Sequence, residues 1–274
     1  MKNILFFNLL IFIFSCCNGT NNVKQENKKL ALLEKKLKIL EKEKKIRDSI
    51  EQNTFTILTT ANHPISDKAI IKLFNISINS LGDEFISYFD KSIKPTFKIM
   101  DKKIYTIGKN EYILAILGIN NPNDDHVHQG NTCLGLLKYV NEKWTMHSIK
   151  KNLDGGFGFG DPSPIEKIYQ FGKKNLAVSL LSGYTGMGVD ESRRVLYGII
   201  DENFYKIFEN EKKYNNEYTA GVEDPSEFEY IDNESKISFE KSTNNFYTLK
   251  IIKTSFGKVQ KTSLLRFNEK LKKY

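Results

Sequence analysis

The 274 residues are 40% hydrophobic and 27% charged, ordinary proportions for a globular chain, and 19 Phe with 13 Tyr supply ample apolar area for a core. The formal charge of +8 is not spread evenly: residues 21–52 carry ten basic and six acidic side chains, whereas residues 53–274 carry 30 and 27. A nearly balanced folded part argues against binding to a phosphate backbone, and the basic excess near the N-terminus suits an anionic membrane surface instead.

Residues 1–15 read as a secretory signal. Lys2 gives a positive start, and Ile4 to Phe14 is apolar apart from Asn8. Eleven residues make a helix of about 16 Å, too short for a hydrocarbon core of about 30 Å. The run ends Ile13-Phe14-Ser15-Cys16. An aliphatic residue three before a cysteine, with a small residue directly before it, resembles the lipobox of bacterial lipoproteins. That resemblance implies diacylglycerol on the Cys16 sulfur, cleavage before Cys16 and a further acyl chain on the new amine. Two or more chains hold a protein to a bilayer stably, at about 0.8 kcal/mol per buried methylene. The expected address is the cell envelope, lipid-anchored to a bacterial membrane, the outer one in a Gram-negative cell.

Residues 16–27 are polar and aperiodic, a flexible tether. Residues 28–52 predict a charged helical stalk, with Leu30, Leu33, Leu37 and Leu40 at a/d spacing. Lys44 and Arg47 occupy the next seam positions, so the pattern favours a solvated spacer over a sustained coiled coil. Residues 53–95 form a mixed α/β lead-in bounded by Pro64 and Pro95, with a helical turn or two over Leu81 to Phe89.

Residues 96–274 predict a β-rich domain of three similar hairpin units. Leu137 to Trp144, Tyr197 to Phe204 and Leu264 to Leu271 each run from an apolar strand through Asn/Asp-Glu to a large apolar residue. Gly108-Lys109, Lys173-Lys174 and Asn244-Asn245 precede the earlier strands of each unit. The fold class is mainly β: an antiparallel sandwich or open barrel, or a propeller-like meander, with an N-terminal helical stalk. Three blades would not close a ring, which favours the sandwich or barrel. Cys133 lies in an apolar strand and reads as a free, buried cysteine, leaving Cys17 near the membrane.

Three segments carry candidate chemistry. Asp124, His126 and His128 form the one cluster with metal-ligand character, since alternate residues of an extended chain share a face; the flanking Asn120 to Asn123 and Gln129 to Asn131 favour a plain polar loop over an ion site. Asp154 to Asp161 is glycine-rich but leads into Pro162, not into a helix that would hold a phosphate. Ser182 to Gly188 joins two strands, and Tyr184, Thr185 and Met187 make it a candidate recognition loop. His63 and His147 stand alone, and no nucleophile motif is present. The expectation is a non-catalytic domain, without a cofactor or nucleic-acid partner, that binds a protein or wall component. An anchored metal-dependent hydrolase using His126 and His128 is one alternative, and a structural component of an envelope assembly is another.

Overall fold

The computed structural model describes residues 30–45, 54–125, 127–153, 156–186, 189–216 and 231–274, without the side chains of 184–186. Cys16, Cys17, the tether, His126 and Met187 therefore lie outside the described residues. The chain divides into two compact units, residues 1–53 and 54–274. In the first, residues 30–45 form α1, whose Leu30, Leu33, Leu37 and Leu40 are all exposed. No helix of the described residues is long and apolar enough to cross a membrane.

The second unit begins with β1 (Phe55–Leu58) and α2 (Asp67–Phe74). Ser66 caps α2 by accepting from the Ala69 N–H, and Asn75 ends it in the left-handed region at φ 48°. Two 3-10 turns follow, Ile78–Ser80 and Asp83–Phe85. Then come β2 (Thr96–Ile107), β3 (Asn110–Asn120), β4 (Asn131–Val140) and β5 (Lys143–Leu153). A second run gives β6 (Ile165–Gln170), β7 (Leu176–Gly186), β8 (Val189–Ile200) and β9 (Asn203–Asn215). The last three are β10 (Asp232–Glu240), β11 (Thr248–Ser255) and β12 (Lys258–Leu265).

Every neighbouring pair is antiparallel, and the strands form two sheets, β1–β5 and β6–β12, each in simple sequential order. The chain is thus mainly β and sandwich-like, with no closed barrel. Leu114, Ile116, Leu134 and Leu136 of one sheet meet Leu176, Val178, Leu180 and Ile199 of the other. The opposite face of the first sheet is covered by α2 and the 3-10 turns: Ile70, Phe74, Leu81 and Phe85 lie on Ile113, Ala115, Leu117 and Cys133. This double cover is why β3 is buried without a break from Glu111 to Ile119 and does not alternate. Cys133 is free and buried. Gly135 admits the Phe74 ring, since a Cβ there would lie 2.6 Å from Phe74 Cζ.

The second sheet folds back on itself. β10 pairs with β9 only over Asp232–Glu234, after which Ile237 and Phe239 turn in over the face carrying Phe171, Ala177, Leu196 and Ile207. Phe246, Phe267 and Tyr274 complete that layer, and the Tyr274 N–H donates to the Ile207 carbonyl at 2.9 Å. The first two sequence units are the meanders β2–β5 and β6–β9. In the third, the chain leaves β12 at Leu265 and closes on an isolated Asn268–Lys273 bridge, with no fourth strand.

Up-and-down order gives the unit two distinct ends. The tight turns at 108–109, 141–142 and 201–202 lie at one end, together with the start of β1, where the Gly108 N–H donates to the Thr54 carbonyl. The long connections β3–β4 and β5–β6, and with them the β7–β8 hairpin, lie at the other, roughly 35 Å away along an eleven-residue strand.

The 141–142 and 201–202 turns share one backbone, with φ 49° and 61° at both Asn141-Glu142 and Asp201-Glu202, the two-residue hairpin geometry that prefers Asn-Gly. Glu142 is exposed, so Glu142→Gly is expected to raise stability by about 0.5–1 kcal/mol. Glu202→Gly is expected to lower it by about 1–3 kcal/mol, because its carboxylate has partners to lose. Thermal midpoints of the two variants moving in the same direction would refute this.

Candidate binding surface

The three segments singled out in the sequence converge at the loop end. The Asn121 N–H donates to the Gly160 carbonyl at 2.8 Å, the Gly160 N–H to the His128 carbonyl at 2.9 Å, and the Gly130 N–H to the Asp161 carbonyl at 2.8 Å. These bonds zip the β3–β4 connection to the glycine-rich β5–β6 connection. The β7–β8 hairpin joins them, since the Gly183 N–H donates to the Gly156 carbonyl at 3.3 Å. Glycine is required at 160: φ is +70°, and a Cβ would sit 2.5 Å from the Asn121 carbonyl oxygen.

Buried Asn123 ties in the segment after the 3-10 turns. Its amide donates to the Glu84 and Ile86 carbonyls, each at 2.9 Å, and its oxygen accepts from the Tyr88 N–H at 3.0 Å. The result is a backbone-braced platform that leaves large apolar side chains in solvent. Phe89 is 96% exposed, Val127 70%, Tyr88 65% and Phe159 60%. Phe159 is also held at φ 58°, a conformation that costs a bulky residue about 1–3 kcal/mol.

Of the metal candidates, Asp124 is exposed and His126 lies outside the described residues. His128 has both ring nitrogens engaged: Nδ1 with Asp125 Oδ1 at 2.7 Å and Nε2 with the Tyr88 hydroxyl at 3.0 Å. His128, through its side-chain and backbone bonds, holds the Asp125 carboxyl below its usual value. Here the imidazole braces the loop against Tyr88. Among the described residues, no three His, Cys, Asp or Glu side chains gather as a metal site would need. At the segment expected to be a recognition loop, the backbone continues as a hairpin in which Tyr184 opposes Glu191 and Thr185 opposes Asp190.

Sequence reasoning missed three polar clusters because their members are far apart in the chain. His63, single in sequence, meets buried Glu111 at 2.7 Å, stacks on Tyr139 at 3.6 Å, and accepts from Trp144 Nε1 at its carbonyl. His147 lies 2.7 Å from Glu202, which also accepts from the Tyr112 hydroxyl at 2.5 Å and from Lys138 Nζ at 2.9 Å. Desolvation pushes the Glu202 carboxyl up, but Tyr112, Lys138 and His147 outweigh it and hold it below the ordinary value. Arg194 and Glu166 form the third cluster, inside the second sheet. Asp201-Glu202 in place of Asn-Gly was the one local signal for the second cluster.

Beside Glu202, at the turn end, a cleft of about 360 Å³ opens between the sheets. Comparison with protein-family models, curated proteins and solved structures finds no match to this chain.

Proposed function

We propose that this chain is an envelope lipoprotein, anchored through Cys16, whose β-domain is a non-catalytic binding module that offers its loop end to a protein partner. The observation that carries the reading is Phe159, a large apolar side chain kept in solvent and in a strained left-handed conformation. Strain of this kind persists where the surroundings enforce it and is concentrated at binding and catalytic positions. Phe89, Val127 and Tyr88 extend the same surface. Thr54, where the second unit begins, lies at the turn end, the end of that unit opposite to these side chains. A wall component as ligand, and a role in an envelope assembly, share the anchor but do not call for an exposed apolar surface.

The test is capture from native envelopes with full-length chain. Phe89→Ser with Phe159→Asn is expected to abolish recovery of the partner that the unchanged chain retains, and Phe159→Asn alone is expected to raise stability by about 0.5–1 kcal/mol, because Asn accepts positive φ. Equal recovery by both proteins, or cleavage of a wall polymer by the purified chain, overturns the reading. Mass spectrometry of the mature N-terminus tests the anchor: a diacylglyceryl adduct on Cys16 is expected, and a bare thiol there removes it.

A further inference from the structure

The cleft at the turn end is separate from the loop-end surface and is lined by groups that the binding reading leaves unused. Tyr105 lies on its wall, 3% exposed and stacked on Tyr112 at 5.3 Å. The two phenols differ in one respect. The Tyr112 hydroxyl donates to Glu202, whereas the Tyr105 hydroxyl has no hydrogen-bond partner among the described residues. The Tyr105 ring is buried, but its hydroxyl is not among the fully buried polar atoms without a partner: it opens on the cleft, where something else can meet it.

The rest of the lining tells what that is. Three lysines face three carboxylates around the cleft, and Lys272 already lies 3.3 Å from Asp201. Glu202 is likewise satisfied by Lys138 and His147. A lining in which cations and anions offset one another favours neither an anionic nor a cationic ligand. The amides of Asn175 and Asn245 add neutral donors and acceptors, and Ile199 and Phe246 supply apolar faces. Such a mixture suits a ligand with many hydroxyls on an apolar ring. The volume is near the lower end of the range of about 300–1,000 Å³ for small-molecule sites, which limits the ligand to a ring or two.

We propose that this cleft binds a small neutral polyhydroxylated ring, a saccharide unit or its equivalent, with the Tyr105 hydroxyl and the Asn175 and Asn245 amides as its polar contacts. The site is rigid by construction. The Asn175 side chain donates to the Ile199 carbonyl at 2.9 Å, which fixes its amide, and the Lys173 N–H donates to the Asn245 carbonyl at 2.9 Å.

The experiment titrates the full-length chain, in a zwitterionic detergent free of sugar headgroups, with glucose, galactose and N-acetylglucosamine, followed by ligand-observed NMR. At least one is expected to bind saturably below tens of millimolar. Tyr105→Phe keeps the ring and removes the hydroxyl, and is expected to weaken that binding about tenfold, the equivalent of one hydrogen bond. Asn245→Ala, at an exposed position, is expected to weaken it in the same direction, while Phe89→Ser at the loop end leaves it unchanged. Failure of all three sugars to saturate overturns the proposal, as does equal binding by wild type, Tyr105→Phe and Asn245→Ala. Loss of protein capture at the loop end with sugar binding intact would separate the two sites.

Discussion

Arg194→Met is expected to lower the unfolding free energy by about 3–5 kcal/mol. Arg194 is 1% exposed and grips Glu166 with two nitrogens, Nε at 2.5 Å and Nη2 at 2.7 Å. The same guanidinium reaches Asn210 Oδ1 and Ser235 Oγ at 3.3 Å and the Ser235 carbonyl at 3.1 Å. It thereby joins β6, β8, β9 and β10 where β9 and β10 part company, and where ladder hydrogen bonds no longer hold them. Removing it leaves a half-buried carboxylate with only Ser179 at 2.7 Å and Lys212 at 3.6 Å for compensation. The double change Arg194→Met, Glu166→Leu is expected to recover most of the loss, since it removes the orphaned charge. Trp144, the single tryptophan, reports the transition in urea. A double variant no more stable than Arg194→Met alone would mean that the geometry of the pair, not its charge balance, sets the cost.

The same pair fixes an acid flank. Desolvation raises the Glu166 carboxyl, but hydrogen bonds from Arg194 and Ser179 prevail and hold it below its usual value. A carboxyl depressed in the folded state contributes stability that is fully present above its unfolded value of about 4.3 and is lost as pH falls through the folded value. Stability of the wild type is therefore expected to fall from about pH 5 downward, and in the double variant this part of the slope disappears.

The sandwich was legible because its strands announce themselves by local chemistry. The Asn141-Glu142 and Asp201-Glu202 turns are alike in sequence and adopt the same positive-φ pair. The lead-in was legible in outline, since Pro64 and Pro95 bracket α2 and the two 3-10 turns. What periodicity does not encode is which face is covered twice. Ile113 and Leu114 look alike in sequence, yet one meets Phe74 under α2 and the other meets Val178 of the second sheet. The folding back of β10–β12 was equally hidden, because Phe171 and Phe239 are 68 positions apart in the chain.

The loop end was half legible. Glycine-rich segments marked the connections, but their meeting depends on Asn123 and Gly160, whose partners lie on other loops. His128 drew attention as a metal ligand because His and Asp at short spacing are ambiguous. The Tyr88 hydroxyl on Nε2 sits 40 positions away, beyond any local pattern.

Phe171→Ala is expected to cost about 3–5 kcal/mol, and to do so by loosening one layer more than the others. Phe171 is fully buried, and its ring centroid lies 5.6 Å from Phe246, 5.9 Å from Phe267 and 6.2 Å from Phe239, which lie on the β10–β11 connection, the C-terminal segment and β10. β10 keeps only three residue pairs with β9, so the aromatic cluster replaces a ladder as the attachment of β10–β12. In native-state hydrogen exchange, amides of β10–β12 are expected to lose protection in the variant while those of β3 and β4 retain theirs. Gly198 supplies a second check, because an added Cβ would lie 2.8 Å from Phe171 Cζ. Gly198→Ala should cost about 1–3 kcal/mol in the wild type through overpacking, and less in Phe171→Ala, where the methyl enters the vacated space. Strict additivity of the two changes, or uniform loss of protection across both sheets, would show that Phe171 is one core residue among many and not the fastening of the last layer.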